Sequence, residues 1–338
     1  MTTAHSNTIH TSYIQANRLE VSLNKNCLLI KDPAQNQEQT WQWDDVTFYL
    51  SPSENSSLGG LYASLECIFN LHPEKDYVSI NDPENLFASE LLTTGIAQSR
   101  SDALQISQAL FWQAPYLWLN REPTPPYPQK YILTQNKRHP LRPPKRSGVL
   151  YQRFIPWLNQ TLSFRSVDLE QDLDCFHRWM NDSRVAHFWE EEGSKEQHIE
   201  YLEKSAADAH SQSIIGCFDG KPFAYFEIYW AKEDRIAPFY DVIDYDRGWH
   251  LLVGEEEFRG RKWFSAWFPS LQHFLFLDDP RTQRIVAEPR HDNERLIRHA
   301  QTLGFANLKA FNFPHKRAQL LMLLRERFFE EYCLHPLR

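Results

Sequence analysis

The side chains best suited to chemistry lie between residues 249 and 293. Trp249-His250-Leu251-Leu252-Val253-Gly254 is an apolar run with one titratable group, the pattern of a buried strand. An imidazole in such a place is either a hydrogen-bonded core histidine or a group that takes and holds a proton near neutral pH. The turn that follows, Glu255-Glu256-Glu257-Phe258-Arg259-Gly260-Arg261-Lys262, gathers its positive charge at its end. A helical run over residues 263–277 comes next, interrupted by Pro269. A strand, a basic turn and a helix make a common anion site, because N–H groups at a helix start point outward and the dipole favours negative charge there. A second strand over 283–287 leads into Glu288-Pro289-Arg290-His291-Asp292-Asn293 and another helix. Asp292 is therefore either a helix cap or a carboxylate available to the histidine.

These residues need a sheet behind them. Alternation puts His250 and Leu252 on one face of their strand, with Trp249, Leu251 and Val253 on the other. Upstream, 161–167 reads as a strand, Asp168 and Asp172 offer caps for a helix carrying Leu173, Phe176 and Met180, and 184–189 begins a second helical or irregular segment continued by 196–206. Residues 213–218 and 222–230 form a hairpin, since Asp219-Gly220 supplies the positive-φ turn. Residues 293–305 carry Leu296, Ile297, Ala300 and Leu303 on one helical face and end at Gly304. Segments 306–313 and 318–329 are expected to finish the sheet.

The first part of the chain holds no glycine-rich loop, nucleophile elbow or metal spacing. The first dozen residues read as a frayed end. Two strands are expected over 19–31 and another over 41–50, with Trp41, Trp43, Val46 and Phe48 facing inward. Helices are expected over 58–69 and 83–112, the latter broken near 98–101 with Ser101 as a cap, and 116–119 reads as a strand. Seven prolines fall between 121 and 147, which excludes a continuous helix or central strand and reads as a linker with a short strand at Tyr131-Ile132-Leu133. Its basic residues, Lys137, Arg138, Arg142, Lys145 and Arg146, read as solvated charge, with contact to a ligand phosphate as the alternative. The expected organisation is thus a smaller α/β domain over 1–147 and a second domain over 148–338.

Composition narrows the function. A net charge of −8 excludes a general nucleic-acid binder, which needs a basic face. The five cysteines are widely spaced without a C-x-x-C pair, which argues against a zinc site or a disulfide framework and for a reducing, cytoplasmic setting. The first residues lack a basic and an apolar signal region, and no run reaches the ~18 apolar residues of a membrane span. Eleven Trp, 14 Tyr and 22 Phe make a bulky core or, along a cleft, a surface for a flexible alkyl or cationic ligand.

Four segments together resemble a known family: His177-Arg178-Trp179-Met180-Asn181 with Arg184-Val185 and Phe188-Trp189; Phe226-Glu227-Ile228-Tyr229-Trp230; Trp249 to Gly254; and Glu288 to Asn293 with Leu303-Gly304-Phe305. The family is the GNAT acetyltransferases, and within it the branch that acetylates hydroxylated amines for hydroxamate siderophores, the aerobactin-type hydroxylysine acetyltransferases. The resemblance covers roughly the C-terminal half and implies an α/β (α+β) architecture with a GNAT fold there. The N-terminal half would then be a separate α/β domain, with a degenerate copy of the same fold as one topology its elements allow. Acetyl-CoA is implied as acyl donor, without a metal, and a small N-hydroxylated lysine or diamine such as hydroxyputrescine or hydroxycadaverine as acceptor. Contact with other enzymes of a siderophore pathway is a further implied partnership.

By the same resemblance His250 is the base beside the thioester and Asp292 lies opposite it, orienting the imidazole or binding the N–OH. Leu252, Val253, Gly254, Arg259, Gly260, Arg261, Lys262 and Trp263 are the expected donor-binding residues. The turn departs from the family's glycine-rich pattern: Gly260 is its only glycine, and Lys262 and Phe264 stand where small residues belong. For the acceptor, Glu227, Tyr229 and Asp241 offer a carboxylate and aromatic set suited to a distal ammonium. His187 and Trp189 match the family's substrate-side segment. A hydroxylated nitrogen is already largely neutral at pH 7, so the base need only take the proton as the N–C bond forms. The competing readings are a non-catalytic module of the same fold and an acetyltransferase for another amine such as an antibiotic.

Overall fold

The computed structural model describes residues 8–53, 55–82, 84–100, 103–121, 125–332 and 334. The chain forms two compact units, residues 1–123 with 152–160 and residues 124–151 with 161–338. Of the N-terminus expected to be frayed, residues 1–7 lie outside the described residues, as do Ser101 and Cys333, while 8–12 form a strand paired with the next one.

In the first unit, β1 (Thr8–Ser12), β2 (Leu19–Asn24), β3 (Cys27–Asp32), β4 (Gln37–Asp44) and β5 (Tyr49–Pro52) run as an antiparallel series. α1 (Leu58–Leu71) crosses to β6 (Tyr77–Ile80), which pairs parallel with β5. α2 (Ala88–Thr93), a hairpin of β7 (Ala97–Arg100) and β8 (Ala103–Ser107), and the short α3 (Gln108–Trp112) and α4 (Pro115–Trp118) complete it. The helix expected over 83–112 is mostly absent. Leu104 and Ile106 are buried at period two, which a strand satisfies and a helix does not. Residues 116–118 turn helical instead of extended because Pro115 occupies the first helical position, where its fixed φ is already suitable, and only Leu119 is extended. Trp41 and Trp43 face inward as expected, but Val46 is 83% exposed, because Asp44 accepts from the N–H groups of Val46 and Thr47 and ends the strand there.

The second unit opens with the hairpin β9 (Tyr131–Thr134) and β10 (Lys137–Pro140), then the start of β11 (Val149–Ile155), whose residues 152–155 count with the first unit, and β12 (Gln160–Ser166) from Thr161 onward. Of the linker's basic residues Arg138 is exposed, as expected, but others are drawn into the fold. Arg142 is buried, donates twice to Glu233 at 2.5 and 2.7 Å and covers the Trp230 ring, while Lys137 donates to the Glu233 carbonyl and Arg146 pairs with Asp278. α5 (Leu169–Met180) is capped by Asp168, whereas Asp172 is buried against Arg165. α6 (Ser183–Trp189) and α7 (Lys195–Ala207) follow, α7 with a capping box of Ser194 and Gln197. β13 (Ser211–Phe218) and β14 (Lys221–Trp230) are joined at Asp219-Gly220, both at positive φ, as a two-residue hairpin turn requires. β15 (Arg247–Val253), α8 (Arg261–Asp278), β16 (Arg284–Ala287), α9 (Glu294–Gln301), β17 (Ala306–Asn312) and β18 (Arg317–Leu324) complete the sheet. α8 runs through Pro269 without a break, and after β18 the chain turns helical over 325–332, where a continuing strand was expected.

The two sheets share one plan. The first has the order β1-β2-β3-β4-β5-β6-β8-β7 and the second β11-β12-β13-β14-β15-β16-β18-β17, each with a parallel pair at the same place. The N-terminal half is thus a topological copy of the C-terminal one. No helix among the described residues is long and apolar enough to cross a membrane.

Candidate active site

The site arises where two parallel strands part. β15 pairs with β16 only at Arg247↔Ile285 and Gly248↔Val286, so from Trp249 onward the two diverge. A cavity of about 400 Å³ fills the gap, lined by Trp189, Trp249, His250, Leu251, Glu288 and Asn293 among others. Tyr229 folds across Gly248, where a Cβ would stand 2.3 Å from its ring. Its ring then lies 4.9 Å from that of His250.

His250 is held from both sides. Its Nδ1 lies 3.1 Å from Glu227, its cross-strand neighbour on β14, and its Nε2 lies 3.0 Å from Glu288, the first residue after β16. Glu227 also accepts from the Tyr201 hydroxyl at 2.6 Å and the Tyr225 hydroxyl at 3.0 Å. Glu288 is 3% exposed and receives Arg235 at 3.1 Å and Lys316 at 3.2 Å. Burial works against the charged imidazole, and the Arg235 guanidinium 3.3 Å from Nε2 does not favour it. The Glu288 and Glu227 carboxylates nevertheless prevail and raise the imidazole to about 10. Burial opposes ionisation of Glu288 too, but His250, Lys316 and Arg235 hold it far below the usual carboxylate range. The result is an imidazolium clamped between two carboxylates at neutral pH.

The structure does not bring Asp292 to this cluster. Its carboxylate is 61% exposed and paired with Arg290 at 3.0 Å, and the cap of α9 is Asn293, which accepts from Leu296 N–H at 3.2 Å. The carboxylate opposite the histidine is Glu288, four residues earlier.

An acetyltransferase (GNAT) domain pattern matches residues 168–313. The N(6)-hydroxylysine O-acetyltransferase of Escherichia coli is 40% identical over 87% of this chain and 92% of its own length. The hydroxyornithine transacylase of Ajellomyces capsulatus is 36% identical, over 86% of this chain and 72% of that one. A Schizosaccharomyces pombe protein provisionally named a lysine N-acyltransferase is 47% identical over 69% of either chain. Among solved structures, a Bacillus halodurans protein superposes with a TM-score of 0.52 at 30% identity, covering 54% of this chain and 94% of that one. The chain belongs to the GNAT acetyltransferase family.

The GNAT turn after β15 is built differently from its sequence-level reading. Arg259 is not a free charge: its guanidinium donates to the carbonyls of Val253 and Gly254 at 2.8 and 3.1 Å and holds the turn closed. Gly254 is required because a Cβ would meet the Trp179 indole at 2.2 Å. Gly260, at φ +97°, begins α8 with no side-chain cap, so the positive end of the helix dipole lies open at the turn. Trp263 anchors the turn between Phe218 and Phe258. In the first unit the corresponding helix start is filled by the chain itself: Gln39 accepts from Ser57 N–H at 2.7 Å, and a Cβ on Gly60 would strike it at 2.2 Å.

Of the remaining expected residues, Glu227, Tyr229 and Trp189 meet around His250. Leu252 turns into the core beside Phe176 and Tyr225, as alternation with His250 requires. Val253 contributes its carbonyl to Arg259. His187 is exposed against Phe188, and Asp241 lies at the surface with its carbonyl on Arg284, so neither reaches the site. The sequence reading missed Glu288, Arg235, Lys316 and Tyr201. A carboxylate placed directly after the buried run Ile285-Val286-Ala287 and before a proline was the available signal for Glu288.

Proposed function

We propose that this chain transfers an acetyl group from acetyl-CoA to the hydroxylated nitrogen of an N-hydroxylated lysine or diamine, giving a hydroxamate for siderophore biosynthesis. The observation that carries the reading is the Glu227–His250–Glu288 cluster at the parting of β15 and β16, in a chain whose relatives are named for acylating hydroxylysine and hydroxyornithine. Acetyl-CoA supplies an activated thioester when bound. The uncapped start of α8 fits its pyrophosphate, and the parted strands fit its extended arm.

The residues of the chain then have separable tasks. β15 beyond Gly248 is released from β16 and offers backbone groups to the acyl carbonyl. Trp189, whose indole donates to the Leu251 carbonyl at 3.4 Å, forms a wall beside the imidazole that limits water. As the hydroxylated nitrogen bonds to the acyl carbon it becomes strongly acidic, and its proton passes to the cluster, which carries two carboxylates for one imidazolium; the C–S bond then breaks and the departing thiolate takes up one proton to leave as the thiol. His250 thus orients and stabilises the accepting carboxylates in the ligand-free protonation state, in place of the neutral base expected from sequence. Arg235 and Lys316 keep Glu288 ionised. The second unit holds all these groups, and catalysis is assigned to it.

Thiol release from acetyl-CoA tests this directly, with hydroxylysine, hydroxyputrescine and hydroxycadaverine as acceptors and the unhydroxylated amines as controls. Release that depends on the hydroxyl group is expected. Equal rates with the plain amines would overturn the reading in favour of a general amine acetyltransferase.

A further inference from the structure

On the reading just given, we infer that the preferred acceptor is a monocation, an N-hydroxydiamine whose far end is an ammonium without a carboxylate. A second cavity of about 500 Å³ shares Tyr201, Glu227, Arg235 and His250 with the first and continues along α7. Glu200 and Lys204 stand one turn apart on one face of α7, and Asp208 is the residue that ends the helix, so the three follow one another at four-residue spacing along the wall. Tyr201, on the same helix, donates to Glu227 and marks the reactive end. With a helix rise of ~1.5 Å per residue, Asp208 lies roughly 10 Å further along, room for an extended alkyl chain.

The charges of this wall do not balance. Five carboxylates line the cavity, Glu191, Glu200, Asp208, Glu227 and Asp234, against Lys204, Arg235 and two histidines. His250 and Arg235 are shared with Glu288 of the neighbouring cavity. His210 is taken up between Asp208 and Asp234, at 2.5 and 3.6 Å. No ion pair among the described residues engages Glu191 or Glu200. Burial and the nearby Glu227 charge raise Glu191, crowding that a cation would relieve.

Among the described cations lining this cavity, Lys204 is in no ion pair; its charge partly offsets that of Glu191, and it sits four residues from Glu200 and from Asp208. An α-carboxylate laid against it would therefore face Glu200 and Asp208 as well. A lone ammonium meets only favourable charge. At the reactive end, the Tyr229 hydroxyl is buried with no hydrogen-bond partner among the described residues and belongs to a residue lining the same cavity, which suits the N–OH of the acceptor.

N-hydroxycadaverine and N6-hydroxylysine differ only by the carboxylate, so their kcat/KM ratio reads the inference directly. The diamine is expected to be better by about tenfold or more, the effect of one modest charge interaction. A double variant, Glu200→Gln with Asp208→Asn, should raise KM for the diamine several-fold at nearly constant kcat, and circular dichroism checks that α7 remains folded. Equal or better turnover of hydroxylysine, or an unchanged KM in the double variant, overturns the inference while leaving the acyltransferase reading intact. No thiol release with either acceptor overturns that reading and this inference with it.

Discussion

Replacing Glu288 by Gln removes one jaw of the clamp on His250 while nearly preserving its shape. In the native site the imidazole is raised from 6.5 to about 10, with Glu288 the foremost charge responsible. At about 1.36 kcal/mol per pH unit, that difference corresponds to roughly 5 kcal/mol of interaction at most. The sign follows from the direction: a raised imidazole contributes its full stability below pH 6.5 and loses it as pH climbs through about 10. Glu227 and Glu288 are lowered, so their contribution is present above the ordinary carboxylate range and lost on acidification. Glu288→Gln should bring the histidine back toward neutrality and leave Lys316 and Arg235 without their carboxylate. Breaking a buried pair in this way costs about 3–5 kcal/mol, and the retained amide contacts place the expectation at the lower end. The assay is a pH series of thermal unfolding together with NMR titration of the His250 ring. A wild-type ring that titrates near 6.5, or a variant whose ring titrates no lower than the wild type, refutes the clamp.

Other substitutions separate roles that the sequence left joined. Asp292→Asn should be nearly silent in turnover, whereas Asn293→Ala should lower stability by ~0.5–2 kcal/mol in thermal unfolding as α9 loses its cap. Gly260→Ala places a side chain at φ +97° and should cost ~1–3 kcal/mol of stability and weaken CoA binding by calorimetry. Arg259→Ala should also weaken CoA binding, through a loosened turn, and intact affinity would show that its bonds to Val253 and Gly254 are dispensable.

Local chemistry was the legible part of this chain. The Asp219-Gly220 hairpin, the alternation of His250 with Leu252 and the strand–turn–helix after them depend on neighbours in sequence, and the structure has each. Long-range pairing was not legible in the same way. Glu288 reaches His250 because two parallel strands part after two residue pairs, and nothing in either strand alone states where they part. Arg142 looked like linker charge until Glu233, 91 residues on, came to meet it. The β7–β8 hairpin was lost in an expected helix, since a short apolar run fits both periods and only the neighbouring β6 decides. Arg259 shows the converse: its type was noted correctly, but its bonds are to its own turn.

The most direct test of the account compares steady-state thiol release by His250→Ala, Glu288→Gln and Asp292→Asn with the unaltered protein, using acetyl-CoA and N-hydroxycadaverine. The first two should lower kcat by ~10²-fold or more with little change in KM, because the cluster acts as the proton leaves, and Asp292→Asn should retain the rate. A fully active His250→Ala protein, or a loss confined to Asp292→Asn, would contradict the assignment of the reaction to the Glu227–His250–Glu288 cluster.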